Sequence, residues 1–226
     1  MITALCLLLS AAMAYTPLPA DAITARMILI EVALHDGVKQ SGSPKDPGQC
    51  KRFQANAFAE AAAGFMLAAY PDAELYLPME HADPKNSGRF LGVCWDMPGP
   101  ETGNAFEEIA RFDADPNGTK AGNTKAAKAF LAQARAGDIL QVVGTYIPSG
   151  RGTHTLMFTR PYDPRSNTLY WADSNFGSRI VNEIKYGVVR AYQQRSLDEV
   201  AGWLTAQEGN GATLYRIRRD VVKRTE

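Results

Sequence analysis

Cysteine is scarce: Cys6, Cys50 and Cys94 are the only three in 226 residues. No Cys-x-x-Cys pair occurs, and His35, His81 and His154 do not fall at zinc-finger spacing. Neither a disulfide-built scaffold nor a structural zinc site is expected. An excess of one charge is missing too. The 24 basic and 24 acidic side chains cancel, so nothing global suggests a nucleic-acid or anionic-membrane partner. No run reaches the roughly 18 consecutive apolar residues of a membrane-spanning helix. Gly-x-Gly-x-x-Gly, P-loop and Gly-x-Ser-x-Gly motifs are also absent, which argues against a nucleotide fold or an α/β serine hydrolase. No cofactor is expected.

What is present suits a globular chain. Hydrophobic residues make up 46%, enough for a real core. Residues 2–14 are apolar but too short to span a bilayer. Ala12-Met13-Ala14 and Ala20-Asp21-Ala22 offer small-x-small cleavage patterns, so residues 1–22 read as a secretory signal peptide. No Lys or Arg precedes Arg26, and a buried N-terminal helix is the competing reading. The signal implies a secreted or periplasmic protein. Residues 23–226 read as one domain, without linker or repeat. The basic end "RIRRDVVKRTE" reads as a solvated strand end.

Residues 22–34 form an apolar helix with Asp21 as its cap. A Gly/Pro/Ser/Asp loop follows. A second helix runs from Cys50 to about Ala69, where Phe53, Ala57, Ala61, Phe65 and Ala68 mark a buried face, and Pro71 ends it. Residues 71–120 are irregular, with one short helix near 105–112. Residues 123–137 are helical, capped by Asn123 and ended by Gly137. Strands are expected at 138–147, 153–162 and 168–173. "SLDEVAGWLTAQ" is a helix with a capping box from Ser196 to Glu199, and "GATLYRIRRDVV" is a last strand. Helices followed by an antiparallel sheet give an α+β class.

The chemistry centres on "PGQCKRF". A thiol attacks as thiolate, and a helix N-terminus favours that form. Cys50 follows a Pro-Gly turn and opens the second helix. Cys94 is placed worse, because Pro98 and Pro100 prevent a helix there. A thiolate needs a base, and His154, at the start of a strand after a Gly-rich loop, is the best placed. His35 and His81 lie in polar loops. The imidazole needs an orienting group. Asp173 ends the next strand, nineteen residues on, and a turn near Asp163-Pro164 brings the two strands side by side. Asn175 is the alternative orienter. "DADPNG" (113–118) begins like an EF-hand loop with Asp113, Asp115, Asn117 and Gly118, but Thr124 stands where the bidentate Glu is required. It reads as an ordinary loop, and no metal ion is expected.

Cys on a helix, His on a strand, then Asp or Asn at the end of the next strand resembles the papain-like cysteine hydrolases. "GQC" (48–50), His154 and "DSNFG" (173–177) are most similar to the YopT-like cysteine peptidases, with Ser174 in place of a proline. The resemblance covers about residues 48–185. It implies a papain-like fold and a Cys50–His154–Asp173 triad acting on protein substrates, as in a bacterial secreted toxin or effector. A cognate inhibitor or immunity protein would then be a partner. The Cys50 N–H is one oxyanion donor, and Gln49 or Gln40 supplies the second.

Two rivals stand beside it. "AGDIL" (136–140) ahead of His154 resembles the Gly-Asp motif of CHAP and NlpC-type amidases, which cut peptidoglycan peptides, and the spacing from Cys94 suits the NlpC arrangement. In a rival of another class, a non-catalytic exported binding protein, Cys50 and Cys94 form a disulfide.

Overall fold

In the computed structural model, the described residues are 20–37, 50, 53–54, 57–58, 60–62, 73–74, 106–143, 146–147, 150–151, 154–206, 210–217 and 223–224. In chain order the elements are α1 (Ala20–Ala33), α2 (the helical residues 50, 53–54, 57–58 and 60–62), β1 (Ala73–Glu74), β2 (Phe106–Asp113), α3 (Lys120–Leu131), β3 (Ile139–Val143), β4 (Tyr146–Ile147), β5 (Gly150–Arg151), β6 (His154–Phe158), β7 (Thr168–Val181), β8 (Ile184–Ser196), α4 (Leu197–Leu204), β9 (Gly211–Ile217) and β10 (Lys223–Arg224). Six strands make one antiparallel sheet in the order β2-β9-β3-β6-β7-β8. Two short pairs, β1 with β10 and β4 with β5, lie apart from it. The class is α+β.

Alternation along the strands sends side chains to two cores. Leu140, Val142, Leu156, Phe158, Trp171 and Leu214 pack with α3 and α4. Ile139, Met157, Tyr215 and Ile217 pack with Ile23 and Met27 of α1 and with Phe58, Ala61 and Ala62 of α2. Helices cover both faces, so β6 is buried at every position, and its sequence, HTLMF, shows no polar alternation.

The elements near the site have local causes. Ile23, Met27 and Glu31 of α1 recur every four residues and are fully buried, which places one acidic residue on the core-facing stripe. Gly137 has φ +85°, and a Cβ there would lie 2.4 Å from Thr24 Cγ2. Only glycine permits this αL turn to pass so close to α1. Asp138, just ahead of β3, is fully buried, accepting two 2.7 Å bonds from Arg216 of β9 and one of 2.8 Å from the Arg135 N–H. The Gly-Asp pair of "AGDIL" is thus a packing and ion-pair device.

Several expectations are corrected. The short helix near 105–112 is strand β2. A bulge between Glu108 and Ala110 reverses its alternation, so Phe106 enters one core and Phe112 the other. Phe106, Ile109 and Ala110 thereby mimic helical spacing. Helix α3 begins earlier than expected: its cap is Thr119, whose Oγ1 accepts from the Gly122 N–H. Asn123 lies inside the helix and bonds back to Asp115. The Asp115 carboxylate itself accepts from the Asn117 N–H, as in an Asx turn. Asp21 lies in the first turn of α1, since that helix starts at Ala20. The third strand of the expected series does not stop at Asp173 but runs on to Val181 and turns into β8. The helix of "SLDEVAGWLTAQ" starts as expected, with Ser196 capping the Glu199 N–H.

Among the described residues no helix is long and apolar enough to cross a membrane. Residues 1–19, Cys94, His81, Phe65 and Ala68 lie outside the described residues, so the leader and the end of the second helix are not addressed by the structure.

Candidate active site

Antiparallel pairing brings His154 and Asp173 together. Asp173 on β7 is opposite Leu156 on β6, two residues beyond His154. The two side chains are therefore diagonal neighbours on one face. The turn near Asp163 forms as expected, with Asp163 and Thr168 exchanging main-chain hydrogen bonds. His154 Nε2 lies 3.1 Å from Asp173 Oδ2. With the carboxylate ionised, Nε2 carries the proton and donates, which leaves Nδ1 for another partner. The same Oδ2 also accepts a 2.9 Å bond from Trp171 Nε1, whose ring stands edge-on to Trp203, centroids 6.2 Å apart. Asp173 is fully buried and His154 nearly so. Two donors on one oxygen hold the carboxylate still.

The other partner is Cys50. It is a free, buried thiol, hydrogen-bonded to the His154 side chain and to Thr155. Burial pushes the thiol up, but the hydrogen bond and charge of His154, helped by the Thr155 main-chain N–H, hold it below the ordinary value. Burial likewise pushes the imidazole down. The Asp173 and Cys50 bonds outweigh this and raise it well above an ordinary histidine. Both shifts favour the thiolate–imidazolium form of the pair. The Thr155 hydroxyl also donates to Gln141 Oε1 at 2.6 Å, and Gln141 Nε2 donates to the His154 carbonyl at 3.2 Å. A hydroxyl has one proton, so with Gln141 served, the main-chain N–H is the donor left for sulfur.

The structure brings together Cys50, His154 and Asp173 from α2, β6 and β7. Gln49 and Gln40 lie outside the described residues, as does the side chain of Asn175. The Cys50–Cys94 disulfide of the binding-protein reading is not formed, because Cys50 is a free thiol engaged by His154. His35 is elsewhere, its Nδ1 accepting from the Ala191 N–H. Sequence reasoning missed Trp171, Thr155, Gln54 and Glu31. Trp171 was findable, since it lies two residues before Asp173 and so on the same strand face.

No protein-family model, no curated protein and no solved structure matches this chain. Chemically, a thiol bonded to an imidazole that is itself held by a buried carboxylate can give up its proton and attack a carbonyl carbon.

Proposed function

We propose that this chain is a papain-like cysteine hydrolase, a peptidase or amidase, with Cys50 as nucleophile. The observation that carries the reading is the chain of contacts Cys50–His154–Asp173, in which three buried groups from three elements meet in the order that chemistry requires. His154 holds the Cys50 proton, and the thiolate attacks the carbonyl of an amide. The tetrahedral oxyanion collapses, the C–N bond breaks, and His154 passes the proton to the leaving amine. Water, deprotonated by His154, then attacks the thioester and returns the thiol with a free carboxylate product. Asp173 fixes the ring with Nε2–H inward and steadies the imidazolium, and Trp171 steadies Asp173.

The substrate is a protein or a peptidoglycan peptide, and the setting is that of a secreted toxin or effector. The resemblance of "GQC" and "DSNFG" to the YopT-like peptidases favours protein. The test is to incubate wild type and Cys50→Ala with a cell-extract proteome and, separately, with purified sacculi. New protein N-termini made only by wild type support the peptidase reading, and released muropeptides support the amidase reading. Products absent from both, or equal in the variant, would sink the proposal.

A further inference from the structure

Gln54 lies four residues after Cys50 in α2, so both side chains leave the helix on one face. Its Nε2 is 3.3 Å from the Ala172 carbonyl oxygen and 3.5 Å from Glu31 Oε2. The carbonyl can only accept, which fixes the amide with its N–H₂ inward. Ala172 immediately precedes Asp173. One buried amide therefore ties the helix of the nucleophile to the strand of the orienting carboxylate, with α1 behind both. Gln54 and Glu31 are both fully buried.

An apolar side chain would be the cheaper occupant of this place. Burying an amide and a carboxyl costs free energy that long hydrogen bonds only partly offset. The surrounding helix face shows the cheaper choice, with Ala57, Ala61 and Ala62 buried beside it. Glu31 adds to the cost, because burial, opposed by the Gln54 bond and reinforced by the Asp173 charge, holds its carboxyl well above the usual carboxylate range. Kept neutral, Glu31 does not add a second negative charge behind the carboxylate that His154 uses.

We propose that Gln54 is a positioning residue for the Cys50 site: its amide, held between the Ala172 carbonyl and Glu31, sets where α2 presents the thiol to the His154–Asp173 pair. The proposal rests on the reading of Cys50 as the nucleophile. Misplacing a reacting group by about an ångström can cost on the order of 100-fold in rate, so an anchor one helical turn away has leverage over the thiol.

The test titrates the Cys50 thiolate by its ultraviolet absorbance, as the difference from Cys50→Ser, in wild type and in Gln54→Leu, with thermal unfolding alongside. Wild type should ionise below the ordinary thiol value of about 8.5. Gln54→Leu should stay folded while its midpoint rises by about one pH unit, a tenfold fall in thiolate fraction below the midpoint. A folded variant with the wild-type midpoint would overturn the positioning role. A wild-type midpoint near 8.5 would instead overturn the nucleophile reading. Should Gln54→Leu not fold, the unbranched Gln54→Met carries the same expectation, and failure of both to fold would overturn the proposal in favour of a clamp that serves stability alone.

Discussion

Replacing Glu31 by glutamine should make the protein more stable, by an amount that depends on pH. The side chains are nearly isosteric, so packing against Gln54 is retained. The difference is protonation. In the folded chain burial holds the Glu31 carboxyl well above the usual carboxylate range, whereas in the unfolded chain it titrates at about 4.3. Between those limits the folded state binds one proton more than the unfolded state. The Glu31 contribution to wild-type stability therefore falls by about 1.4 kcal/mol for each pH unit above about 4.5, until the folded-state value is passed. Glutamine carries no such slope. The gap between Glu31→Gln and wild type should be small at about pH 4 and widen by about 1.4 kcal/mol per unit above that, then level off. The pH at which it levels off reads the folded-state pKa. Groups that do not interact with Glu31 cancel in the difference. Urea unfolding followed by tryptophan fluorescence at a series of pH values measures it, provided the m-values agree. A gap that stays flat across the series would show that Glu31 ionises in the fold as it does in water, and the account of a neutral Glu31 would fail.

Two further outcomes follow from single contacts. Gly137→Ala should lower stability by more than about 2 kcal/mol, since φ +85° alone costs an alanine roughly 1–2 kcal/mol and its Cβ meets Thr24; adding Thr24→Ala should restore part of the loss in thermal unfolding. Trp171→Phe removes the indole donor to Asp173 Oδ2 and should cost about 1.5–3 kcal/mol, the usual worth of a hydrogen bond to a charged group; equal urea midpoints for the two proteins would contradict that role.

The site was legible in the sequence where spacing and turn chemistry agreed. His154 begins a strand and Asp173 lies nineteen residues on, with Asp163-Pro164 between them to reverse the chain. Two strands and one turn sufficed to predict their meeting. The fold class was legible for the same reason, from the Val/Thr/Tyr-rich runs after residue 138. Strand β8 was not, because the hairpin that leads into it turns on Asn182 and Glu183, both with positive φ. That turn normally advertises itself with Asn-Gly, and Glu183 hides it. Strand β2 was hidden by its bulge. Gln54 and Glu31 were missed because each shares its stretch of sequence with other polar residues, Lys51, Asn56 and Glu60 for the first and Asp21, Thr24 and Arg26 for the second, so neither stood out as facing the core. The four-residue spacing of Cys50 and Gln54 was the available signal, and it gains meaning only once α1 and β7 are known to close around it.

The central claim is that Cys50 and His154 form a thiolate–imidazolium pair, and alkylation tests it directly. Iodoacetamide labelling of the folded protein, followed by mass spectrometry from about pH 5 to about pH 9, brackets the ordinary imidazole and thiol values. The account predicts rapid labelling of Cys50 near pH 6, where an ordinary thiol is under about 1% ionised, and at least a roughly tenfold slower rate in His154→Ala. Labelling that rises only near pH 8.5, at the same rate with and without His154, would contradict it.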